Sequence, residues 1–256
     1  MDSLLKSIED ELNVNKFVEN CVVMPGDDLT ELILPITTKI RIGQGISQTP
    51  TGVRATKSGI LRFKAPNRFW VENSQRRYVP RVGDAVVGTI MERHAEEYRV
   101  NIRACTTAIL PALAFDGASK RNKPDLKVGD AVYARVALAR RDVEPMLTCC
   151  AREGQRKRDW VTGESVYGQL ERGTVFRCSL GLATQLRDPD CVVLNTIGAN
   201  IPFEIVVGSN GIVWLLSETI SGTIVVKSAI RHSEHLNDEQ TKFMAEKMVK
   251  LARRNK

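Results

Sequence analysis

At 256 residues the chain is longer than most single domains, which predicts two or three compact units. Its apolar fraction of 43% predicts a folded protein, while an aromatic fraction of 5% leaves few rings for stacking on bases. The net charge of +7 favours a polyanionic partner over solubility alone, and the absence of any long apolar run excludes a membrane-spanning helix.

Residues 1–20 place Leu4, Leu5, Ile8 and Leu12 at helical spacing among alternating charges, which predicts an amphipathic N-terminal helix. The segment lacks the apolar core of a signal peptide. The six cysteines contain no C-x-x-C pair and lack the density of a secreted disulfide scaffold, so they are interpreted as reduced, mostly buried thiols of a soluble intracellular protein. They are Cys21, Cys105, Cys149, Cys150, Cys178 and Cys191.

Residues 21–77 are predicted to form a small β domain. The turn-forming sequences Pro25-Gly26-Asp27 and Gly43-Gln44-Gly45 separate short β-branched runs in this segment. Three strands are expected, at Thr37–Ile42, at Gly52–Lys64 with a break near Gly59, and at Arg68–Glu72.

Residues 78–154 carry longer alternating runs, which predict a small five-stranded barrel of the OB type. The expected strands are Ala85–Arg93, Tyr98–Ala104, Thr106–Pro111, Ala131–Arg140 and Met146–Cys150. Val82-Gly83-Asp84 and Val128-Gly129-Asp130 are interpreted as tight turns that open long strands, rather than as an internal repeat. The segment 114–124 is too polar for a barrel strand and is predicted to be a basic connecting loop.

A domain boundary is predicted at residues 151–164, because this stretch is basic and has almost no apolar side chain except Trp160. The pattern of residues 165–256 then predicts an α+β domain. Its expected elements are a strand Thr174–Ser179, a helix Leu180–Arg187 stopped by Asp188-Pro189, a short segment Cys191–Ile197, strands Phe203–Val207 and Ile212–Leu216, and helices Ser221–His232 and Asn237–Arg253.

The last predicted helix has two further signals. Asn237 with Gln240 resembles a capping box. One apolar stripe along the helix is predicted to belong to the core, and it consists of Phe243, Met244, Met248, Leu251 and Ala252.

An ordered series of short motifs resembles the S1/KH cap proteins of the eukaryotic RNA exosome. The motifs are Val22-Val23-Met24-Pro25-Gly26-Asp27, Tyr78-Val79-Pro80 with Gly83-Asp84, Phe115-Asp116-Gly117-Ala118-Ser119-Lys120-Arg121-Asn122, Ser179-Leu180-Gly181-Leu182, Pro189-Asp190-Cys191, and Glu204-Ile205-Val206-Val207-Gly208-Ser209-Asn210-Gly211 followed by Trp214. Each motif alone is a weak signal, but their order along nearly the whole chain is specific.

The resemblance implies a multidomain fold: a small β N-terminal domain, an S1 (OB-fold) barrel at 78–154 and a KH-type α/β domain at 165–256. It also implies membership of a three-protein cap that docks on a ring of RNase PH-like subunits. A non-catalytic role then follows, in which the chain stabilises the complex and guides single-stranded RNA toward 3'-5' decay and rRNA processing. The implied location is nucleus, nucleolus and cytoplasm, with no cofactor and no metal.

Small barrels bind single strands through a positive groove and aromatic faces. The candidate RNA-binding residues are Arg93, Tyr98, Arg99 and Arg103 on or near barrel strands, with Lys120, Arg121 and Lys123 in the connecting loop. For Tyr98, burial and base stacking both stay open, whereas the loop cations favour contact with RNA or with ring subunits. Few aromatic side chains predict weak, sequence-tolerant and salt-sensitive binding.

Gly208-Ser209-Asn210-Gly211 has the glycines of a KH clamping loop but not its setting, because a G-x-x-G loop normally joins two helices. The flanking runs are β-branched and apolar, so the four residues are predicted to be a structural hairpin that packs against the barrel. Trp214 is expected to belong to that interface. RNA clamping by the loop stays the less favoured alternative.

Catalytic interpretations find little support in the sequence. It contains no G-x-S-x-G elbow and no phosphate-binding loop, and His232 and His235 lack a third metal ligand at a familiar spacing. Two alternatives stay open: an exoribonuclease that uses S1 and KH parts to hold substrate, and a ribosome-associated S1 RNA-binding protein.

Overall fold

The computed structural model describes residues 21–33, 40–64, 67–73, 75–140, 142–151 and 166–254. The helix predicted at 1–20 and nearly all of the boundary predicted at 151–164 therefore lie outside the described residues. The chain forms two compact units, and the second begins at Gln75.

The first unit is a small β structure with one short helix. Its elements are β1 (Val22–Val23), α1 (Thr30–Ile33), β2 (Arg41–Ile42), β3 (Ile46–Thr49), β4 (Gly52–Ala55), β5 (Gly59–Lys64) and β6 (Arg68–Glu72). Strands β1, β5, β6 and β2 pair in that order into one sheet, and β3 pairs with β4 as a separate hairpin.

The strand predictions for this unit are largely confirmed. Arg68–Glu72 is a strand, and the break predicted near Gly59 separates β4 from β5. The strand predicted at Thr37–Ile42 is present as Arg41–Ile42, while residues 37–39 lie outside the described part. Strand β3 was not predicted, because three of its four residues are polar and only Ile46 is buried.

The second unit begins with a barrel. Its strands are β7 (Ala85–Arg93), β8 (Glu97–Asn101), β9 (Ala108–Pro111), β10 (Ala131–Arg140) and β11 (Val143–Thr148). The barrel closes because β11 pairs with both β9 and β10, and β12 (Gly168–Leu170) adds a further strand beside β10. The prediction of a five-stranded barrel is confirmed.

Two equivalent tight turns open the long strands β7 and β10, as predicted. Gly83 and Gly129 adopt φ angles of +91° and +98°, a region that favours glycine. Gly83 N–H donates to the Val136 carbonyl at 2.8 Å, and Gly129 N–H donates to the Ile90 carbonyl at 2.9 Å. Each turn is therefore attached to the partner strand and fixes where the long strand begins.

The last part of the chain is a three-stranded sheet covered by helices. Its elements are β13 (Thr174–Arg177), α2 (Leu180–Leu186), α3 (Val192–Gly198), β14 (Phe203–Val207), β15 (Ile212–Ser217), α4 (Ile220–His232), a 3-10 turn (Ser233–His235) and α5 (Asp238–Arg254). The strand order is β13, β15, β14, and all pairings are antiparallel. The predicted hairpin of β14 and β15 is confirmed.

The apolar stripe predicted on the last helix is wrong for two of its members. Phe243 and Leu251 are 70% and 51% exposed, whereas Ala245 and Val249 are buried. Two small or β-branched residues spaced four apart allow α5 to lie close to its neighbours, so the helix is rotated away from its larger side chains. The side chain of Ala252 lies outside the described part.

Candidate nucleic-acid interface

The connection between β9 and β10 displays two of the predicted cations at its tip. Ser119 N–H donates to the Asn122 carbonyl at 2.8 Å, and Asn122 N–H donates back to Ser119 at 3.1 Å. Lys120 and Arg121 lie inside this tight turn, and both are exposed. A defined turn therefore presents the two charges to solvent.

Hydrogen bonds also fix the base of this loop. The Asp116 carboxylate, 8% exposed, accepts from Ala151 N–H at 2.7 Å. Lys123 Nζ donates to the Ala95 carbonyl at 2.6 Å, which ties the loop to the β7–β8 turn. Lys123 therefore has a structural contact, whereas Lys120 and Arg121 are exposed and form no side-chain hydrogen bond or ion pair with other described residues, which leaves them available to phosphate.

The barrel-strand arginines are neutralised by carboxylates. Arg99 Nη1 lies 3.0 Å from Glu144 Oε1, and this hydrogen bond is the main cause of the raised pKa of Arg99. Arg93 forms an ion pair with Asp125. Both arginines are thus less available to a phosphate backbone than the loop tip.

Tyr98 lies in the barrel core. Its side chain is 3% exposed, and its hydroxyl donates to the Pro124 carbonyl at 2.6 Å. Phe115, also 3% exposed, belongs to the same core cluster. Of the two alternatives for Tyr98, the structure places the ring in the core, where it cannot stack on a base.

Arg103 connects the barrel to the following domain. Its Nη1 donates to the Cys178 carbonyl at 3.0 Å, and its backbone has a φ of +62°. The Asn101 side chain accepts from Arg103 N–H at 2.9 Å, which compensates for this uncommon conformation. Arg103 therefore has a structural role in the folded chain.

The Gly208-Ser209-Asn210-Gly211 turn is inserted against the barrel. Asn210 is fully buried, and its Nδ2 donates to the carbonyls of Val87 and Ile102 at 2.7 and 2.8 Å. Ser209 N–H donates to the Ala85 carbonyl at 2.8 Å. Both polar groups face barrel strands, so this loop cannot approach an RNA backbone as a clamping loop does.

Both glycines of this turn are required by close packing. A Cβ at Gly208 would lie 2.7 Å from Val87 N, and one at Gly211 would lie 2.7 Å from the Cys178 carbonyl oxygen. Gly211 also has a φ of +72°. Gly208 is thus required by contact with the barrel, and Gly211 by its backbone conformation and by packing within its own domain.

Apolar side chains complete the interface. Val87 and Ala131 of the barrel form one buried cluster with Ile212 and Trp214 of β15. The expectation that Trp214 belongs to the interface is confirmed. The β-sheet is therefore covered by the barrel on one face and by helices on the other.

Sequence reasoning missed one residue that supports the turn at this interface. Arg187, at the end of α2, donates from Nη1 to Ser209 Oγ at 2.7 Å. In the sequence Arg187 was only the last residue of a predicted helix, and nothing in its neighbours indicated a partner 22 positions later.

The buried cysteines give a testable consequence of this packing. Burial raises the pKa of the Cys178 thiol to about 11, whereas Cys105 is exposed. At pH 8 we expect a thiol reagent to label Cys178 much more slowly than the exposed Cys105, because the buried thiol is less accessible and its raised pKa disfavours the reactive thiolate. Labelling followed by peptide mass spectrometry measures both rates. Equal rates would contradict the described burial.

The same shift fixes the sign of a pH effect. The unfolded thiol ionises near its ordinary pKa of about 8.5, while the native Cys178 thiol stays protonated up to about pH 11. Its contribution to stability is complete below the unfolded pKa and is lost as pH rises through this window. Urea denaturation between pH 8 and pH 10 measures how the free energy of unfolding changes with pH in the wild type and in Cys178→Ala. The free energy of unfolding is expected to fall more steeply with rising pH in the wild type.

Among the described residues, no group of three or more His, Cys, Asp or Glu side chains could hold a metal ion. In that same part of the chain, no helix is both long enough and apolar enough to span a bilayer.

Comparison with known proteins connects these features to a family. Residues 78–160 match the family described as exosome complex component RRP40, S1 domain, and residues 173–221 match a KH domain family. The rrp40 exosome complex component of Dictyostelium discoideum is 43% identical over 219 residues, which are 85% of this chain and 88% of that protein.

Two further relatives match over a similar share of both chains. The exosome complex component RRP40 of Drosophila melanogaster is 39% identical over 82% of this chain and 87% of its own length. The Schizosaccharomyces pombe rrp40 is 37% identical over 89% of this chain and 94% of its own length. A crystal structure titled as that of an exosome complex RNA-binding protein superposes with a TM-score of 0.56 at 23% identity, covering 70% of this chain and 98% of that one, and it supports the fold.

Proposed function

The chain belongs to the RRP40 family of exosome complex components, and we propose that it is a non-catalytic, RNA-binding cap subunit of the RNA exosome. Its S1 barrel and KH domain form one compact unit, so these two domains would present one continuous surface to RNA and to other subunits. Nuclease activity would then reside in other subunits of the complex.

The RNA-binding part of this proposal rests on one observation. The exposed tip of Lys120 and Arg121 has free positive charge, while the KH loop that could clamp a backbone is buried against the barrel. RNA contact would therefore fall to the S1 loop, which binds phosphates without reading sequence. Weak, salt-sensitive binding suits a subunit along which RNA must slide.

The finer assignments are part of the same proposal. The partners would be RNase PH-like ring subunits and other S1/KH cap subunits, with single-stranded RNA as the ligand. The process would be 3'-5' decay and processing, including rRNA processing, in nucleus, nucleolus and cytoplasm. Purification of the tagged chain from its source cells, with identification of co-purifying proteins, tests this directly. Recovery with ribosomal proteins and without RNase PH-like subunits would favour the ribosome-associated alternative.

Replacing Lys120 and Arg121 together by alanine is expected to weaken binding to single-stranded RNA roughly tenfold at about 50 mM salt. It should also reduce the slope of log K against log salt by about 1.4, because two phosphate contacts are lost. Fluorescence anisotropy with a labelled RNA measures both. The matched control, Arg93→Ala with Arg99→Ala, removes two cations that are already ion-paired. An equal loss in the control would mean that net charge, not the loop tip, governs binding.

The exoribonuclease alternative predicts a different result. Purified chain, incubated with single-stranded RNA and Mg²⁺ or Mn²⁺, is expected to release no nucleotides. Robust turnover that a chelator abolishes would overturn the non-catalytic role.

A further inference from the structure

The sheet of the first unit has one face in the core and one toward solvent. Leu61, Phe69 and Val71 alternate with their neighbours along β5 and β6 and are fully buried. The intervening side chains point to the opposite face, since strand residues alternate in direction. They form a surface called here the outer sheet face, which includes Arg41, Arg62, Arg68, Trp70 and Glu72 and continues to the apolar Ile60 and Val22.

Arginines flank an indole ring on this surface. Across the strands, Arg62 lies opposite Trp70, and Arg68 lies opposite Arg41. The Arg68 guanidinium lies 5.8 Å from the centroid of the Trp70 ring. Arg62 Nε pairs with Glu72 Oε2 at 2.8 Å. One guanidinium group therefore lies near a half-buried indole, and two further arginines and one carboxylate lie on the same face of the sheet.

We propose that the outer sheet face is a second binding site for single-stranded RNA, with a base stacked at Trp70 and phosphates held by Arg41 and Arg68, since Arg62 is already paired with Glu72. Sheet modules bind single strands by placing aromatic rings and cations on one face. Guanidinium groups suit this role, because they bind phosphate in a fork geometry and also stack on planar rings. The site lies in the first unit, so it goes beyond the function proposed for the barrel loop.

A structural role alone explains less of this surface. The cation–π contact explains Arg68 with Trp70, and the ion pair with Glu72 explains Arg62, but neither contact explains Arg41. Within the described sheet, Arg41 and Arg68 are adjacent exposed cations on paired strands, and like charges placed side by side destabilise a sheet. An anionic ligand removes that repulsion.

RNA is favoured over an acidic protein segment by the arrangement of the groups. Arg62 on β5 lies opposite Trp70 on β6. Arg41 on β2 lies opposite Arg68, which is two residues before Trp70 on β6. An extended chain with regularly spaced phosphates and planar bases can occupy the cations and the ring together. Glu72 lies at the opposite end of β6 from Arg68, so its negative charge favours phosphates near Arg41 and Arg68.

The test uses the full chain and a short single-stranded RNA that contains 4-thiouridine. Photo-crosslinking followed by peptide mass spectrometry is expected to find RNA attached within β5 or β6, in addition to any attachment at the β9–β10 loop. Trp70→Leu should remove these crosslinks and weaken binding in an anisotropy assay at least about fivefold, and Trp70→Phe should restore most of the affinity. Arg41→Gln with Arg68→Gln should weaken binding and reduce its salt dependence.

Two controls keep the outcome specific. Arg177→Gln with Arg231→Gln removes two exposed arginines of the second unit and should change affinity less than the Arg41 and Arg68 pair. Lys120→Gln with Arg121→Gln should leave the β5 and β6 crosslinks in place. The failure of the barrel-loop proposal can therefore be distinguished from the failure of the proposal for the outer sheet face. Crosslinks confined to the second unit, or Trp70→Leu variants that bind RNA normally but lose co-purifying proteins, would overturn the RNA site and assign this face to a protein partner.

Discussion

Replacing Asn210 by alanine is expected to lower the free energy of unfolding of the second unit by about 3 kcal/mol. Asn210 is fully buried and donates two hydrogen bonds to barrel carbonyls, and its Oδ1 lies 3.4 Å from Val87 N. Alanine leaves the carbonyls of Val87 and Ile102 without these donors in a site closed to water. Each lost partner costs about 1–3 kcal/mol, so the pair dominates the effect.

Urea denaturation of the full chain, monitored by circular dichroism, measures the shift in the midpoint urea concentration of unfolding. The control is Ser209→Ala in the same turn, where only the bond from Arg187 at an exposed site is lost and a change below about 1 kcal/mol is expected. Replacing Asn210 and Gly211 together by alanine should go further and separate or unfold the domain. Unchanged stability with lost RNA binding would contradict the structural role and favour a clamping loop.

The regular elements were predictable because long apolar runs and turn residues mark them in the sequence. Strands β7 and β10 are apolar-rich runs of nine and ten residues that begin at Gly-Asp turns, so both boundaries were predicted correctly. The β14–β15 hairpin follows from the turn chemistry between two β-branched runs. Strand β3 was missed because a polar two-stranded ribbon has no such pattern.

The site was harder to predict because its features depend on contacts between distant residues. Tyr98 has the sequence context of a half-buried strand, and only the Pro124 carbonyl, 26 positions away, decides that its hydroxyl is satisfied inside the core. Arg99 and Arg103 look alike in sequence. One is paired with Glu144 and the other reaches Cys178, and neither partner is adjacent in the chain. Charge alone therefore overestimates the RNA-binding surface of the barrel.

Placing a methyl group at Gly173 is expected to destabilise the second unit by about 2–3 kcal/mol. A Cβ at this position would lie 2.0 Å from Trp214 Nε1 and 2.2 Å from Cε2, so the indole must move. Trp214 is 5% exposed and packs against Val87 of the barrel, which leaves it little room. Its Nε1 has no hydrogen-bond partner among the described residues, so packing alone holds the ring.

Gly173→Ala should therefore lower the urea midpoint and shift the native tryptophan fluorescence, because a displaced indole meets water. Gly198→Ala is the matched control: its Cβ would find Phe203 at 3.9 Å, an ordinary contact, and alanine suits a helix better than glycine by up to about 1 kcal/mol. The control should equal or exceed the wild type in stability. If Gly173→Ala keeps the wild-type midpoint and fluorescence, then Trp214 does not lie against this glycine, and the packing between β15 and the barrel must differ from that described.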